Sequence, residues 1–383
     1  MRRTVIVTGA RAPSALHLAR VFHEAGHRVV LADTFLYPMS RATRMKAHYV
    51  RLPSPRKSFS EYASAVAALV AREVPHLIVP TCEEVFFLAA VRDLMGVGIP
   101  LFAPHFDLLA KVHNKADFVE LAVGLGADPP PTLRFECDED LSRLSVPTQS
   151  LVFKPAWSRF GSRVLIRPSE TEVAKLRPTQ ADPWVAQSYL PGEEISAYAV
   201  GTEGRLIAFQ SYRPTYRVGQ GAGVAFEAVD VPVALRFVSG LISRLNWTGQ
   251  ISFDFRRDEE GDLHVIECNP RATSGVHYFG PGDGLARSFL EGDIAQATLK
   301  GAMTLPLAML AYGLPYAWRR DGLAQWRRDF AAMQDISSWP GDRNLLLSQL
   351  RALGEIALKA LREGRGLVEA SVRDIEWDGE PLG

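Results

Sequence analysis

Cysteine is scarce in this sequence. Cys82, Cys137 and Cys268 are far apart and odd in number. They offer neither a disulfide framework nor a CxxC metal site, which suits a reducing, cytoplasmic setting. Net charge is missing too: 43 Lys+Arg balance 43 Asp+Glu, and nothing in that balance favours nucleic acid or an anionic membrane surface. The apolar run after Met1-Arg2-Arg3 is only Val5–Val7, too short for a signal-peptide core. Gly301–Trp318 is uncharged, but Pro306, Gly313 and Pro315 interrupt it. It reads as a core helix plus loop, and no membrane span is expected. Internal repeats and long low-complexity segments are absent, and no Ser/His or Cys/His constellation marks a protein nucleophile.

What is present suffices for two or three packed domains: 383 residues, 47% of them apolar. The strand-like runs Thr4–Thr8 and Arg28–Asp33 flank a helical pattern over Ser14–Gly26, a βαβ start that predicts a parallel sheet. The turn reads Gly-Ala-Arg-Ala-Pro-Ser-Ala rather than G-x-G-x-x-G. Asp33 is placed to hold a ribose, yet without the glycines dinucleotide binding is disfavoured. A helix over Phe59–Val74 and a strand over His76–Pro80 follow. Thr81-Cys82-Glu83-Glu84 then sits where open α/β sheets place ligands, and also where a helix N-terminus favours acids.

Ile251–Arg271 is the stretch around which the rest is organised. Ile251–Phe255 and Leu263–Cys268 alternate across a charged, glycine-containing turn, a hairpin signature. Asp254 and Glu267 each stand among apolar neighbours, and two carboxylates opposed across a hairpin repel unless a cation lies between them. Asn269 and Arg271 continue at alternate positions on the same face. Hard oxygen ligands with a guanidinium suggest a platform for Mg²⁺ and a triphosphate.

Glu267-Cys268-Asn269-Pro270-Arg271, preceded by a strand carrying Asp254, resembles the metal-binding strand pair of the ATP-grasp superfamily, with Asp where Glu is commoner at the first position. The likeness covers roughly residues 1–300. It implies a mixed α/β and α+β architecture: an N-terminal Rossmann-like domain over 1–108, then an ATP-grasp domain over 109–300 whose two sheets clamp ATP. A mobile subdomain of that domain would span about 132–212, and 301–383 would be a helical and strand extension outside the shared core. Ile195–Val200 and Arg205–Tyr212 are expected in the same antiparallel subdomain as Ser150–Pro155.

The resemblance also implies site roles. Asp254, Glu267 and Asn269 would hold Mg²⁺, and Lys115 and Lys154 the phosphates. A buried lysine such as Lys154 needs an anionic partner in any case. The strand Trp184–Leu190 would meet adenine through its backbone at Gln187, Tyr189 and Leu190, with Glu194, or alternatively Glu193, on the ribose. Trp157–Val164 would be the loop over the triphosphate. Arg213–Gly223 is rich in Arg, Tyr and Gly, and Arg213 and Arg217 are candidates, with Arg271, for a carboxylate or acyl-phosphate; an exposed hairpin turn is the other reading. His277 is either an acceptor-substrate contact or a structural histidine. The implied reaction activates a carboxylate with ATP as an acyl-phosphate and couples it to an amine. Carbamoyl-phosphate-type or carboxylate–thiol chemistry, or a catalytically silent nucleotide binder, are alternatives. The partners would be small molecules, and a homodimer stays open.

Beyond the resemblance, Leu345–Leu361 reads as an amphipathic helix with a stripe of Leu346, Leu350, Leu353, Ala357 and Leu361. Gly366–Trp377 alternates like an edge strand or lid.

Overall fold

A computed structural model describes residues 1–157, 163–217, 223–318 and 322–382. The βαβ start forms as read: β1 (Thr4–Thr8), α1 (Pro13–Glu24) and β2 (Arg28–Asp33). With β3 (His48–Arg51), α2 (Phe59–Glu73) and β4 (Leu77–Val79) they complete a parallel sheet of order β3-β2-β1-β4. Its strands are nearly continuous apolar runs because helices cover it. Helix α3 (Glu84–Asp93) opens where the two acids stand. The Glu84 carboxylate folds back onto the amides of Thr81 (2.9 Å) and Cys82 (3.3 Å) and accepts the Thr8 hydroxyl (2.8 Å). Glu84 thus ties the turn after β4 to the end of β1.

Helices α4 (Phe106–His113) and α5 (Lys115–Gly124) are separated by Asn114, whose Oδ1 accepts from the amides of Ala116 and Asp117. A small antiparallel sheet follows, of order β5-β8-β6-β7: β5 (Thr132–Phe135), β6 (Leu151–Pro155), β7 (Leu165–Ile166) and β8 (Trp184–Ser188). The large sheet has seven strands, β13-β12-β9-β10-β11-β14-β15. These are β9 (Glu193–Thr202), β10 (Arg205–Arg217), β11 (Gly223–Ala228), β12 (Gly249–Arg257), β13 (Leu263–Asn269), β14 (Ala302–Thr304) and β15 (Gln334–Asp335).

The expectation for Ile195–Val200 and Arg205–Tyr212 is therefore corrected: they belong to the large sheet, not to the sheet of Ser150–Pro155. Strand β9 pairs with β12 from Gly249↔Gly201 to Arg257↔Glu193, so burial on both sides holds it there. The chain crosses between the sheets at Tyr189–Gly192. Gly192 has φ +124°, and a Cβ there would lie 2.0 Å from the Arg257 carbonyl oxygen, so only glycine fits the crossing. One core runs beneath both larger sheets, joining Ile6, Phe86 and Phe87 to Ile251, Phe253, Phe255 and Trp377.

One C-terminal expectation is also corrected. The segment over Gly366–Trp377 is not a strand: a short helix, Leu367–Ala370, leads into turns that bury Val372, Ile375 and Trp377. The Trp377 ring packs within 5.0 Å of Phe86 and of Trp157, measured between ring centroids. Helix Leu346–Glu363 forms and ends at Gly364, but its leucines face outward: Leu350 is 51% and Leu361 80% exposed, while Gln349 and Ala360 are buried. Gly301–Trp318 contains β14 and a helical run with a wide turn at Met309–Gly313. Among the described residues no helix is long and apolar enough to cross a membrane.

Candidate functional site

The hairpin of β12 and β13 sets Asp254 opposite Glu267, with a register irregularity just after Asp254. Phe253, Phe255, Val265 and Cys268 anchor the pair in the core. Ser196, on neighbouring β9, donates its hydroxyl to Asp254 Oδ1 at 2.7 Å, and Asn269 Nδ2 donates to Oδ2 at 3.1 Å. Arg271 Nη2 donates to Asn269 Oδ1 at 3.0 Å, and its Nε lies 3.7 Å from Glu83. Glu83 thus reaches the site from the end of β4, while its neighbour Glu84 is engaged at the helix.

Two lysines approach from other elements. Lys115 opens α5 beside the Asn114 cap, and its Nζ is 3.9 Å from Glu267 Oε2. Lys154, on β6, comes within 3.8 Å of the same oxygen. It donates to Gln187 Oε1 at 3.0 Å, and Gln187 Nε2 donates to Thr132 Oγ1 at 3.0 Å. Both lysines are buried.

The electrostatics follow from that burial. Burial and the neighbouring Glu267 push the Asp254 carboxyl up to about 7. Burial acts the same way on Glu267, but Lys115 and Lys154 outweigh it and hold that carboxyl below its usual range. Burial lowers Lys154 to about 8 against the pull of Glu267, and lowers Lys115 as well. Two carboxylates and two ammonium groups share a water-poor space without closing into short ion pairs.

These residues line one cleft of about 340 Å³ between the small and large sheets. Tyr189, Leu190, Glu194 and Arg217 line it as well, so the sequence reading of these positions gathers in one place. The Tyr189 amide is engaged by the Ser150 carbonyl at 2.8 Å. Strand alternation separates the two acids at the start of β9. Glu194 faces the cleft and pairs with Arg217 at 2.7 Å, whereas Glu193 pairs on the other side with Arg213 at 3.1 Å and Arg257 at 3.0 Å.

Two candidates fall outside. Arg213 is held in exposed ion pairs with Glu193 and Glu227 and does not line the cleft. His277 is buried, edge-on to His17 at 5.1 Å and stacked on Phe226 at 6.0 Å, and burial drives its pKa well below the usual histidine range. It is a core residue behind the cleft. In the loop expected over the triphosphate, 158–162 lie outside the described residues, as do 218–222 of Arg213–Gly223.

Sequence reasoning missed Ser196 and Arg256, which line the cleft together with Thr273 and Ser274 of the loop after Arg271. Ser196 and Arg256 sit two positions from Glu194 and Asp254 on their strands, so period-two alternation was the available signal. Donors to a metal would be two carboxylates and an amide oxygen, a hard all-oxygen set that fits Mg²⁺ and not a thiol- or imidazole-seeking ion.

No family model matches the chain, and no curated protein sequence matches it. Solved structures do. N5-carboxyaminoimidazole synthetase from Staphylococcus aureus aligns with a TM-score of 0.62 at 14% identity, over 84% of this chain and 87% of that one. The biotin carboxylase domain of Hydrogenobacter thermophilus 2-oxoglutarate carboxylase, in complex with MgADP and bicarbonate, gives 0.60 at 16% identity over 77% and 71%. The L-amino acid ligase from Bacillus licheniformis gives 0.57 at 16% identity over 73% and 70%. With its Rossmann-like parallel sheet and two largely antiparallel sheets around one cleft, the chain has the ATP-grasp fold.

Proposed function

We propose that the protein is an ATP- and Mg²⁺-dependent ligase that activates a carboxylate as an acyl-phosphate and couples it to an amine, releasing ADP and phosphate. The observation that supports this reading is the convergence of Asp254, Glu267, Asn269, Arg271, Lys115 and Lys154 on one cleft. The fit to a divalent cation rests on Asp254 and Glu267, two half-buried carboxylates set opposite each other across the hairpin beside Asn269: their repulsion, which helps push Asp254 up to about 7, is relieved by positive charge. When bound, Mg²⁺ neutralises charge on the β- and γ-phosphates.

The chain's own groups do the rest by position. Lys115 and Lys154 hold phosphate oxygens, and Gln187 aims Lys154 at them. Glu194 receives the ribose hydroxyls beside the backbone of Tyr189 and Leu190. Arg271, with Arg217 at the end of β10, offsets the charge of the acyl-phosphate. The carboxylate oxygen attacks the γ-phosphorus and ADP leaves; the amine attacks the acyl carbon and phosphate leaves. Both steps need orientation and charge neutralisation rather than a protein nucleophile.

The test begins with a screen for phosphate release across amino acids and small carboxylates with Mg·ATP. With the responding acid labelled with ¹⁸O in its carboxylate, label is expected in the released phosphate. Label in AMP, with pyrophosphate released, would overturn the reading in favour of adenylation. A second reading takes bicarbonate as the acid, and the likeness to the biotin carboxylase domain solved with MgADP and bicarbonate supports it. ADP release that depends on bicarbonate alone distinguishes the two.

A further inference from the structure

The carboxyl edge of the N-terminal parallel sheet has two halves. Above β1 and β4 it is filled: Glu84 occupies the space, and the cavity there is only about 10 Å³. Asp33, at the end of β2, is locked to Arg11 at 2.5 Å and is unavailable for a ribose. Above β2 and β3 the edge opens instead into a cleft of about 1470 Å³, roofed by helix Leu346–Glu363. Open α/β sheets bind their ligands outside the carboxyl ends of strands. This cleft shares no lining residue with the Asp254/Glu267 cleft.

Its charge is one-sided. Seven Arg and Lys line it against three acids. Asp374 is paired with Arg11 and Lys359, and Glu355 accepts from the amides of Leu36 and Tyr37, each at 2.7 Å. Arg56 and Arg373 pair with Asp378. Four cations remain: Arg51, Lys57, Arg351 and Arg362 form no ion pair among the described residues, and only Glu363 is left to oppose them. Arg51 is pinned at the end of β3 by its Nε donating to the Thr34 carbonyl at 3.0 Å. Arg351 and Arg362 come from the helix opposite, so the cations stand on both walls. Tyr37 and Leu358 supply an apolar surface between them, 46% and 57% exposed.

We propose that this cleft is a second ligand site, for a phosphate group carried on an apolar or planar body. Three of the four uncompensated cations are arginines, whose planar fork matches phosphate oxygens bidentately. The body lies against Tyr37 and Leu358. The phosphate belongs either to a soluble phosphoester or to a lipid headgroup, since Leu358, one of the outward leucines of the same helix, lines the cleft.

The test is calorimetric titration of the full chain with phenyl phosphate, whose ring is the planar body, and with pyrophosphate as the bare anion, in EDTA so that no magnesium complex forms in the Asp254/Glu267 cleft. Co-sedimentation with phosphatidylglycerol vesicles forms the second arm. Binding is expected in one arm, weakening as salt rises. The R351S/R362S variant should lose it tenfold or more while keeping its melting temperature and its Mg·ADP affinity. Both arginines are exposed, so the fold does not depend on them. Soluble binding names a phosphoester, and vesicle pelleting without it names a headgroup. No binding in either arm, equal binding by the variant, or tighter binding of citrate than of pyrophosphate would overturn the proposal.

Discussion

Two buried charge clusters in this molecule use the same residue types and differ in how they close. At the end of β2, Arg11 reaches Asp33 at 2.5 Å and Asp374 at 2.8 Å, Lys359 reaches Asp374 at 2.5 Å, and the Thr34 hydroxyl donates to Asp374. Although burial opposes ionisation, Arg11 and Lys359 hold the Asp374 carboxyl well below its usual range. In the cleft, by contrast, Lys115 and Lys154 stop 3.8–3.9 Å from Glu267, and Asp254 is pushed up to about 7. The first cluster is complete within the chain and ties the C-terminal tail to the N-terminal sheet. In the second, the carboxylates repel each other, most at Asp254, and burial weakens the charge on Lys154. A site that completes itself only with a cation and a polyanion has that form.

The largest effect that separates the clusters is on turnover. Glu267→Gln keeps the volume and removes the charge that both lysines share. We expect ADP release to fall by about a hundredfold or more, as for loss of a preorganised electrostatic group, with the circular dichroism spectrum unchanged. A variant that turns over at near the parent rate would place Glu267 in the same structural class as Asp374.

The converse substitution is Asp374→Asn. It leaves Arg11 and Lys359 short of a partner in a buried network, and removing one member of such a pair costs about 3–5 kcal/mol. Urea denaturation should show that loss at pH 7, with Mg·ADP affinity unaffected. The pH dependence has a definite sign. Because the folded-state value of Asp374 is depressed, its stabilising contribution is present above the unfolded-state value of 3.8 and is lost as pH falls below it. The variant's stability should therefore decline less steeply than the parent's below pH 3.8. A loss of nucleotide affinity in Asp374→Asn would erase the distinction between the clusters.

What was legible in the sequence follows the same division. The strands β1 and β2 fall on the residues their apolar runs predict, because short buried strands carry their boundaries in composition. Asp254 and Glu267 were legible because a charge inside an apolar alternation is an anomaly wherever it occurs. Arg213 was not: the register of β10 against β11 shifts around Tyr216, so alternation no longer tells Arg213 from Arg217. His277 needed the positions of His17 and Phe226, which come from distant parts of the chain. The tail over Gly366–Trp377 alternates like a strand, yet its buried residues answer to Arg11, Phe86 and Trp157. The leucine stripe of helix Leu346–Glu363 was read correctly as a stripe, and periodicity does not say whether a stripe faces in or out.

The smallest effect is the sharpest probe of the comparison. Lys154 is buried, forms no short ion pair among the described residues, and is lowered to about 8 by burial even with Glu267 at 3.8 Å. In the empty protein that ammonium is a cost as much as an asset. Lys154→Met keeps the stem volume and removes the charge. Mg·ATP affinity should fall tenfold or more, about 1.4 kcal/mol, because the triphosphate loses its counter-charge on the small sheet. The apo protein should be as stable as the parent or slightly more so, since Gln187 retains its bond to Thr132. Thermal-shift titration with Mg·ADP and Mg·ATP reads both quantities, because a ligand stabilises in proportion to its binding. If the variant binds nucleotide like the parent and is destabilised when empty, Lys154 belongs with Arg11 as a structural cation, and the small sheet has no part in holding phosphates.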